Sequence, residues 1–362
     1  MSKAAELANL IGNINMGGGG ANKNVIINGA MNVAQRSTSE TGVGSSGGYL
    51  VCDRWQLAVG NTDGRLTMSQ DSSVPTGEGF ANSLKLDCTT ADTSIAAAEN
   101  LVIQQKIEGQ NLQSFSKGTS GAKPFAVSFY VKGNGNATYM CELRDRDNDR
   151  HNTQQFAVTS SWNRVELTFS ADTTGAFDDD NASSLELRFW LHAGSTYSGG
   201  SYTANTWAST TNANRAVGIS SFFDSTDRTF FITGVQLEVG QNPTEFEHEP
   251  FERTLAKCQR YFQKLQNGRL LSVGNGSSVI IGGTDLAVDL RASATVTYST
   301  GTWAAYSGMS GSQVAYTASN NSSVALNAKF RYNFNNTDDT KAYWSDLGTG
   351  TDQTVVSIDA EL

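Results

Sequence analysis

The chain is short of cysteine, histidine and charge, and each shortage removes a class of function. Its four cysteines, Cys52, Cys88, Cys141 and Cys258, lie far apart with no C-x-x-C pair, which excludes compact zinc and dithiol motifs. Two disulfides can be drawn, but the apolar registers of Cys141 and Cys258 favour four buried thiols. The three histidines, His151, His192 and His248, show no metal-ligand spacing. Charged residues make up only 17% of the chain, and 35 acids against 26 bases give a net charge of −9. A nucleic-acid or anionic-membrane binder needs a basic footprint, so neither partner is expected. No apolar run approaches transmembrane length, so no membrane insertion is expected. The opening MSKAAELANLIGNINMGGGG lacks the layout of a signal peptide, which implies synthesis in a cytoplasm.

Catalytic motifs are missing too. Gly44–Gly48 reads GSSGG and satisfies G-x-S-x-G, but it lies in a Gly/Ser-rich loop without the strand and helix of a nucleophile elbow. NMGGGGANKN lacks the G-K-[ST] ending of a phosphate-binding loop. The terminal DAEL is no retention signal in a chain without a signal peptide. No catalytic residue and no cofactor is therefore expected, with structural calcium as the one candidate ion. Asp145, Asp147 and Asp149 in RDRDNDRHN, and the second cluster Asp178–Asp180, are either solvated loop charges, calcium ligands, or a carboxylate pair for glycoside hydrolysis.

What is present is patterned. Leu7, Leu10, Ile11 and Ile14 form one helical stripe, followed by a joint at Gly17–Gly20. So short a helix is marginal alone, so it is a frayed end, a docking peg, or part of a small helical bundle in an oligomer. From Asn24 the period becomes two: Phe125, Val127, Phe129 and Val131, then Leu185, Leu187, Phe189 and Leu191, alternate with other residues. Gly, Asn, Ser and Asp clusters separate such runs. Many short alternating strands build an antiparallel sandwich. The fold class is thus mostly β: an N-terminal anchor helix and joint (1–23), a jelly-roll-like β-sandwich (24–248), a connector helix (249–268) and a smaller C-terminal β domain (269–362).

The connector helix is expected from Phe251 to Leu265. Pro250 pre-sets its first turn, Glu252 lies near its start, and Lys257, Arg260 and Lys264 lie toward its end, as the helix dipole prefers. Phe251, Leu255, Cys258, Phe262 and Leu265 make one apolar face, which packs on the sandwich, on the second module, or on copies of itself. Phe251, Leu255 and Phe262 are the candidate inter-subunit contacts.

Two stretches carry a resemblance when taken together. NVIINGAMNVAQRSTSETGVGSSGGYLVCDRWQLA, with its N-x-x-I-N-G, Q-R and D-R-W, resembles the opening of bacteriophage tail proteins. ITGVQLEVGQNPTEFEHEPFERTLAKCQRYFQKL, with V-Q-L-E-x-G, P-x-F-E and C-Q-R-Y, resembles their module end, and DLRASATVTY with the terminal DAEL weakly resembles a following domain. The resemblance implies a virion tail fibre or receptor-binding protein with a carbohydrate-binding-module-like sandwich, assembled as a homotrimer. It implies binding to a host-surface glycan and attachment to other tail proteins through the N-terminus. It carries no catalytic signature, and it raises the chance of structural calcium.

In the sandwich itself, Trp55 is expected in the core with Arg54 on a carboxylate. AGSTYSGGSYTANTWAST places Tyr197, Tyr202 and Trp207 in a polar loop without alternation. These aromatics are either folded back over the core or displayed to a ligand or neighbouring subunit. The rivals to a receptor-binding fibre are a purely structural tail component, such as a nozzle or fibre-anchoring protein, and a polysaccharide depolymerase.

Overall fold

The structure, a computed structural model, describes Lys3, 23–265, 269–274, 279–298, 302–307, 313–317, 323–326, 329–335, 342–346 and 356–362. The expected anchor residues Leu7, Leu10, Ile11 and Ile14, and the glycine joint, lie outside the described residues. The chain is mostly strand and divides into two compact units, Met1–Phe251 and Glu252–Leu362.

The first unit is an antiparallel β-sandwich. One sheet has six strands in the order β1 (Ser39–Val43), β4 (Arg65–Asp71), β5 (Ser83–Thr90), β13 (Thr229–Val239), β7 (Phe125–Gly133) and β10 (Asn163–Phe169). The other has seven: β12 (Ala208–Ser209), β9 (Arg150–Val158), β8 (Ala137–Asp145), β11 (Ser183–Ala193), β6 (Asn100–Glu108), β3 (Gln56–Gly60) and β2 (Gly48–Tyr49). Alternation sends one side of each sheet inward, as expected for paired half-buried strands. Phe129 of β7 meets Phe189 of β11 edge to face at 4.9 Å and Phe156 of β9 at 5.0 Å. Such aromatic pairs add stability beyond their buried area. Trp55 is fully buried in this core, and its Nε1 donates to the Asn28 carbonyl at 3.1 Å. Arg54 Nη2 donates to the backbone carbonyl of Lys106 at 2.7 Å.

The two familiar stretches meet in space. Asn24 donates its backbone N–H to Glu247 at 3.1 Å, while its side chain accepts from Leu237 N and donates to the Val235 carbonyl. The fully buried Glu238 accepts from Thr244 N at 2.7 Å, and Gln236 accepts from Glu247 N at 2.8 Å. Phe246 closes over Phe80 with ring centroids 5.0 Å apart. Within the opening stretch, Asn28 sits at φ 59° and its amide bridges Val33 and the Asp53 carbonyl. Gly29 is required by proximity: a Cβ there would lie 2.1 Å from the Val235 carbonyl oxygen. These motifs therefore clasp the beginning of the sandwich to its last strand. All four cysteines are buried free thiols.

A one-turn helix, α1 (Ser195–Ser198), follows β11. The second helix, α2 (Phe251–Gln259), is shorter than the sequence implies. Its last amides close onto Ala256 and Cys258 carbonyls, and the chain then becomes β14 (Phe262–Leu265). Phe262 is thus not on the helix: it is buried and paired with Asp359 in a three-stranded sheet with β23 (Val356–Asp359) and β17 (Thr295–Tyr298). Burying Phe262 and pairing β14 with β23 outweigh continuing a helix through two aromatics of high strand propensity. On α2, Cys258 is buried, Leu255 half-buried, and Phe251 stays 51% exposed. The second unit also contains a seven-stranded antiparallel sheet in the order β19 (Gln313–Thr317), β18 (Thr302–Ser307), β22 (Ala342–Asp346), β15 (Arg269–Gly274), β16 (Val279–Asp285), β21 (Lys329–Asn335) and β20 (Ser323–Leu326).

Candidate functional site

In the acidic loop after β8, Asp145, Asp147 and Asp149 turn to different partners. Asp145 is fully buried and receives the ammonium of Lys117 at 2.6 Å. The same ammonium lies 3.1 Å from Asp172 and donates to the carbonyls of Thr174 and Gly175 at 2.9 and 2.7 Å. Two carboxylates and two carbonyls are the oxygen set a calcium ion would take, and here a lysine side chain supplies the cation. Asp147 and Asp149 turn elsewhere: Asp147 accepts from Asp178 N at 2.9 Å, and Asp149 is exposed beside Arg144 at 3.6 Å. Among the described residues no group of three or more acidic, histidine or cysteine side chains is placed to hold a metal.

The three loop aromatics fold back, each half-buried. Trp207 joins the rim of the sandwich core, 5.7 Å from Phe125, and its Nε1 donates to the Ser170 carbonyl at 2.7 Å. Tyr197 lies on Trp190 at 5.1 Å, and the Tyr202 hydroxyl accepts from Gln155 N at 3.1 Å. Trp207 therefore serves the core and Lys117, whereas the two tyrosines border the outer face of the seven-stranded sheet. The structure does not bring all three to one surface.

That outer face is built by alternation. Registry sets Met140, Trp190, Val102 and Ala58 side by side as one apolar row. The next row is polar: Glu142, Arg188, Gln104 and Gln56. Beyond it come His151, Arg144, Glu186 and Lys106. Glu142 is the hub and is wholly buried. Arg215 grips it through Nε and Nη2 at 2.8 and 2.9 Å, the indole N–H of Trp190 donates at 2.7 Å, and His151 Nδ1 lies at 3.2 Å. Burial alone would raise its pKa, but Arg215, His151 and Arg188 hold the carboxyl well below the usual range. Arg215 keeps its proton more tightly in return, since Glu142 outweighs its desolvation.

The remaining cations are less well served. Arg188 lies 3.0 Å from Glu186 and 3.6 Å from Glu142, yet burial pushes its pKa down to about 10. Arg144 and Lys106 are lowered as well, first by desolvation and then by neighbouring arginines. Gln104 Nε2 donates to Gln56 at 2.6 Å, but Gln104 Oε1 and the Nε atoms of Arg144 and Arg188 are buried without a hydrogen-bond partner. Buried polar atoms left this way are costly. Most of this face is covered: Met140, Trp190, Val102 and Glu142 are buried, and the half-buried Gln56, Lys106, Arg144, Tyr197 and Tyr202 border it.

A Ser–His–carboxylate arrangement lies apart from this face. His192 Nε2 is 2.9 Å from Glu99 and its Nδ1 2.8 Å from Ser221 Oγ. Ser221 Oγ is already the acceptor that caps the turn Phe222–Asp224, at 3.1 Å from Phe223 N. The imidazole is wholly buried against Phe223. It acts as a strap that ties two loops to β11.

No family model and no curated protein sequence matches the chain. Among solved structures, the enzymatically active domain of tailspike protein 4 of bacteriophage CBA120 is similar at 14% identity and a TM-score of 0.32, over 60% of this chain and 21% of that one. This chain thus spans about a fifth of the tailspike chain it matches. A family 11 carbohydrate-binding module from Clostridium thermocellum, in complex with a mixed-linked tetrasaccharide, is similar at 13% identity and a TM-score of 0.27, over 54% of this chain and 91% of that one. A sugar-binding protein from Bacteroides thetaiotaomicron, so described without proof of its role, is similar at 11% identity and a TM-score of 0.31, over 60% of this chain and 99% of that one.

Proposed function

We propose that the chain is a bacteriophage tail fibre that recognises a host-surface glycan and has no catalytic role of its own. The observation that carries this reading is the outer face of the seven-stranded sheet. Its guanidinium groups and amides stand in register, with the half-buried Gln56, Lys106 and Arg144 beside Tyr197 and Tyr202. Planar bidentate groups beside apolar side chains are what polyhydroxylated ligands require. Virion location and attachment to the tail through the N-terminal residues Leu7, Leu10, Ile11 and Ile14 follow from the resemblance of the two clasped motifs to tail proteins. The same resemblance supports a homotrimer, with Phe251 and Leu255 as subunit contacts; the exposure of Phe251 fits that role.

The test is adsorption. Purified protein should bind host cells and compete with phage attachment, and periodate oxidation of the cell-surface glycan should abolish both. Failure to bind cells at micromolar protein would favour the second reading, a structural tail component without receptor contact. One observation supports that rival: Asn24, Trp55 and Glu238 of the familiar motifs go into the clasp and core.

A further inference from the structure

We infer that Asn134 is a self-modifying site, at which the Asn134–Gly135 linkage rearranges through a cyclic imide to isoaspartate and aspartate without an enzyme. The inference is independent of the glycan reading. The sequence holds the Asn–Gly pairs Asn28–Gly29, Asn134–Gly135, Asn267–Gly268 and Asn275–Gly276, and the last two lie outside the described residues. The fold treats the first two in opposite ways.

Asn134 and Gly135 lie in the crossing from β7, in the six-stranded sheet, to β8, in the seven-stranded one. The surroundings of the crossing are fixed. Gly133 N donates to the Thr159 carbonyl at 2.8 Å, Thr138 N to Ser220 Oγ at 3.0 Å, and Arg228 Nη1 to the Asn136 carbonyl at 3.3 Å. Between these points Asn134 is exposed, and the Gly135 N–H has no hydrogen-bond partner among the described residues. A Cβ on Gly135 would meet nothing within 4 Å, so the glycine has room to change its backbone angles. The Asn134 side chain accepts from Thr229 N at 3.3 Å through Oδ1, and its Nδ2 has no partner among the described residues.

The chemistry uses each of these features. The Gly135 amide gives its proton to solvent base, and its nitrogen bonds to Asn134 Cγ. Negative charge then builds on Oδ1, where the Thr229 N–H stands ready to stabilise it, as oxyanion donors do. The Cγ–Nδ2 bond breaks and the nitrogen leaves as ammonia, protonated by solvent. Water opens the imide at one carbonyl or the other, giving isoaspartate or aspartate. One water enters, one ammonia departs, and nothing is oxidised or reduced. The product adds a negative charge to a chain of net charge −9 and, as isoaspartate, a methylene to the backbone of the crossing.

Asn28 has the opposite surroundings. It is 3% exposed, its Nδ2 donates to the Val33 and Asp53 carbonyls at 2.9 and 3.0 Å, and its Oδ1 accepts from Val33 N at 3.0 Å. The leaving nitrogen is held, and Gly29 has no room to turn beside the Val235 carbonyl.

The experiment keeps the full chain in mildly alkaline buffer made with heavy-oxygen water, native and in urea, and follows Asn28 and Asn134 by peptide mapping. Asn134 should convert in the native protein at least as fast as in urea, with heavy oxygen in the product, while Asn28 should convert only in urea. Gly135→Ala, whose melting temperature serves as the control on folding, should slow native conversion of Asn134 by about tenfold, because a Cβ hinders the attacking nitrogen. A native Asn134 rate below the urea rate overturns the inference, since the fold then protects the linkage. Native loss of Asn28 at the pace of Asn134, or an unchanged rate in Gly135→Ala, overturns it as well.

Discussion

The ammonium of Lys117 sits 2.6 Å from Asp145 with both side chains fully buried, and it holds the place of a structural ion. Removing one member of a buried ion pair leaves the other charge uncompensated. Lys117→Met should therefore cost about 3–5 kcal/mol of stability, read from urea unfolding. Chelator should leave the wild-type melting temperature unchanged. A loss under about 1 kcal/mol in the variant, within the range of surface pairs, would show that the cage is not structural.

Gly29 offers a test of the clasp. A methyl group there would meet the Val235 carbonyl at 2.1 Å, and backbone on both sides has little room to move. Gly29→Ala should destabilise the sandwich by about 1–3 kcal/mol, as overpacking does. Gly77→Ala, with open space around it, serves as the comparison, although its positive φ of 84° adds some strain of its own. If Gly29→Ala proves the milder of the two, the close approach is not what selects glycine.

Acid should unfold the sandwich early. Burial would raise Glu142 and Asp172, but cationic and hydrogen-bonding partners hold both carboxyls below their usual values. Carboxylates lowered in the folded state contribute stability that is present above their unfolded values, near pH 4, and lost as pH falls through the lower folded values. Melting temperature should be flat from about pH 7 to 5 and fall steeply below about pH 4. A profile still flat at about pH 3 would mean that these pairs contribute nothing net.

The thiols give a fourth check. Burial raises Cys52 and Cys141 strongly and pushes Cys88 up to about 11. Since the thiolate is the reactive form, native protein at pH 8 should resist a thiol reagent, and all four groups should react once urea is added. Rapid labelling of one native thiol would locate an opening in the fold that the structure does not show.

Period-two alternation made the strands of the sandwich legible, because a half-buried strand must alternate. Helix α2 was legible at its start, where Pro250 and Glu252 mark it, but not at its end. Phe262 continues the apolar face as well as Leu255 does, and only a partner strand nearly a hundred residues on, at Val356–Asp359, decides otherwise. The Lys117 cage was illegible for the same reason. It gathers residues 117, 145, 172, 174 and 175, whose nearness depends on loop closure. The polar rows were half visible. Glu186 and Arg188 alternate with inward leucines and would ordinarily face water; that they abut Glu142, Arg144 and Gln104 follows from strand order, which no local pattern encodes.

The loop aromatics separate stability from binding. Trp207 leans on Phe125, lies 5.5 Å from the Lys117 ammonium and donates to Ser170, so its indole closes the buried cage. Tyr197 rests on Trp190, beside the polar rows, and remains half-exposed. Trp207→Ala should therefore destabilise the protein by about 2–4 kcal/mol, somewhat less than for a fully buried tryptophan. Below its lowered melting point it should leave adsorption to cells intact. Tyr197→Ala should cost only about 1 kcal/mol, as a partly buried aromatic contact does, yet it should weaken adsorption because it strips the margin of the sheet face. Paired melting curves and cell-binding isotherms for the two variants decide the matter. If Trp207→Ala, still folded, loses adsorption while Tyr197→Ala keeps it, the recognition surface lies at the Lys117 end of the sandwich and not on the outer face of the seven-stranded sheet.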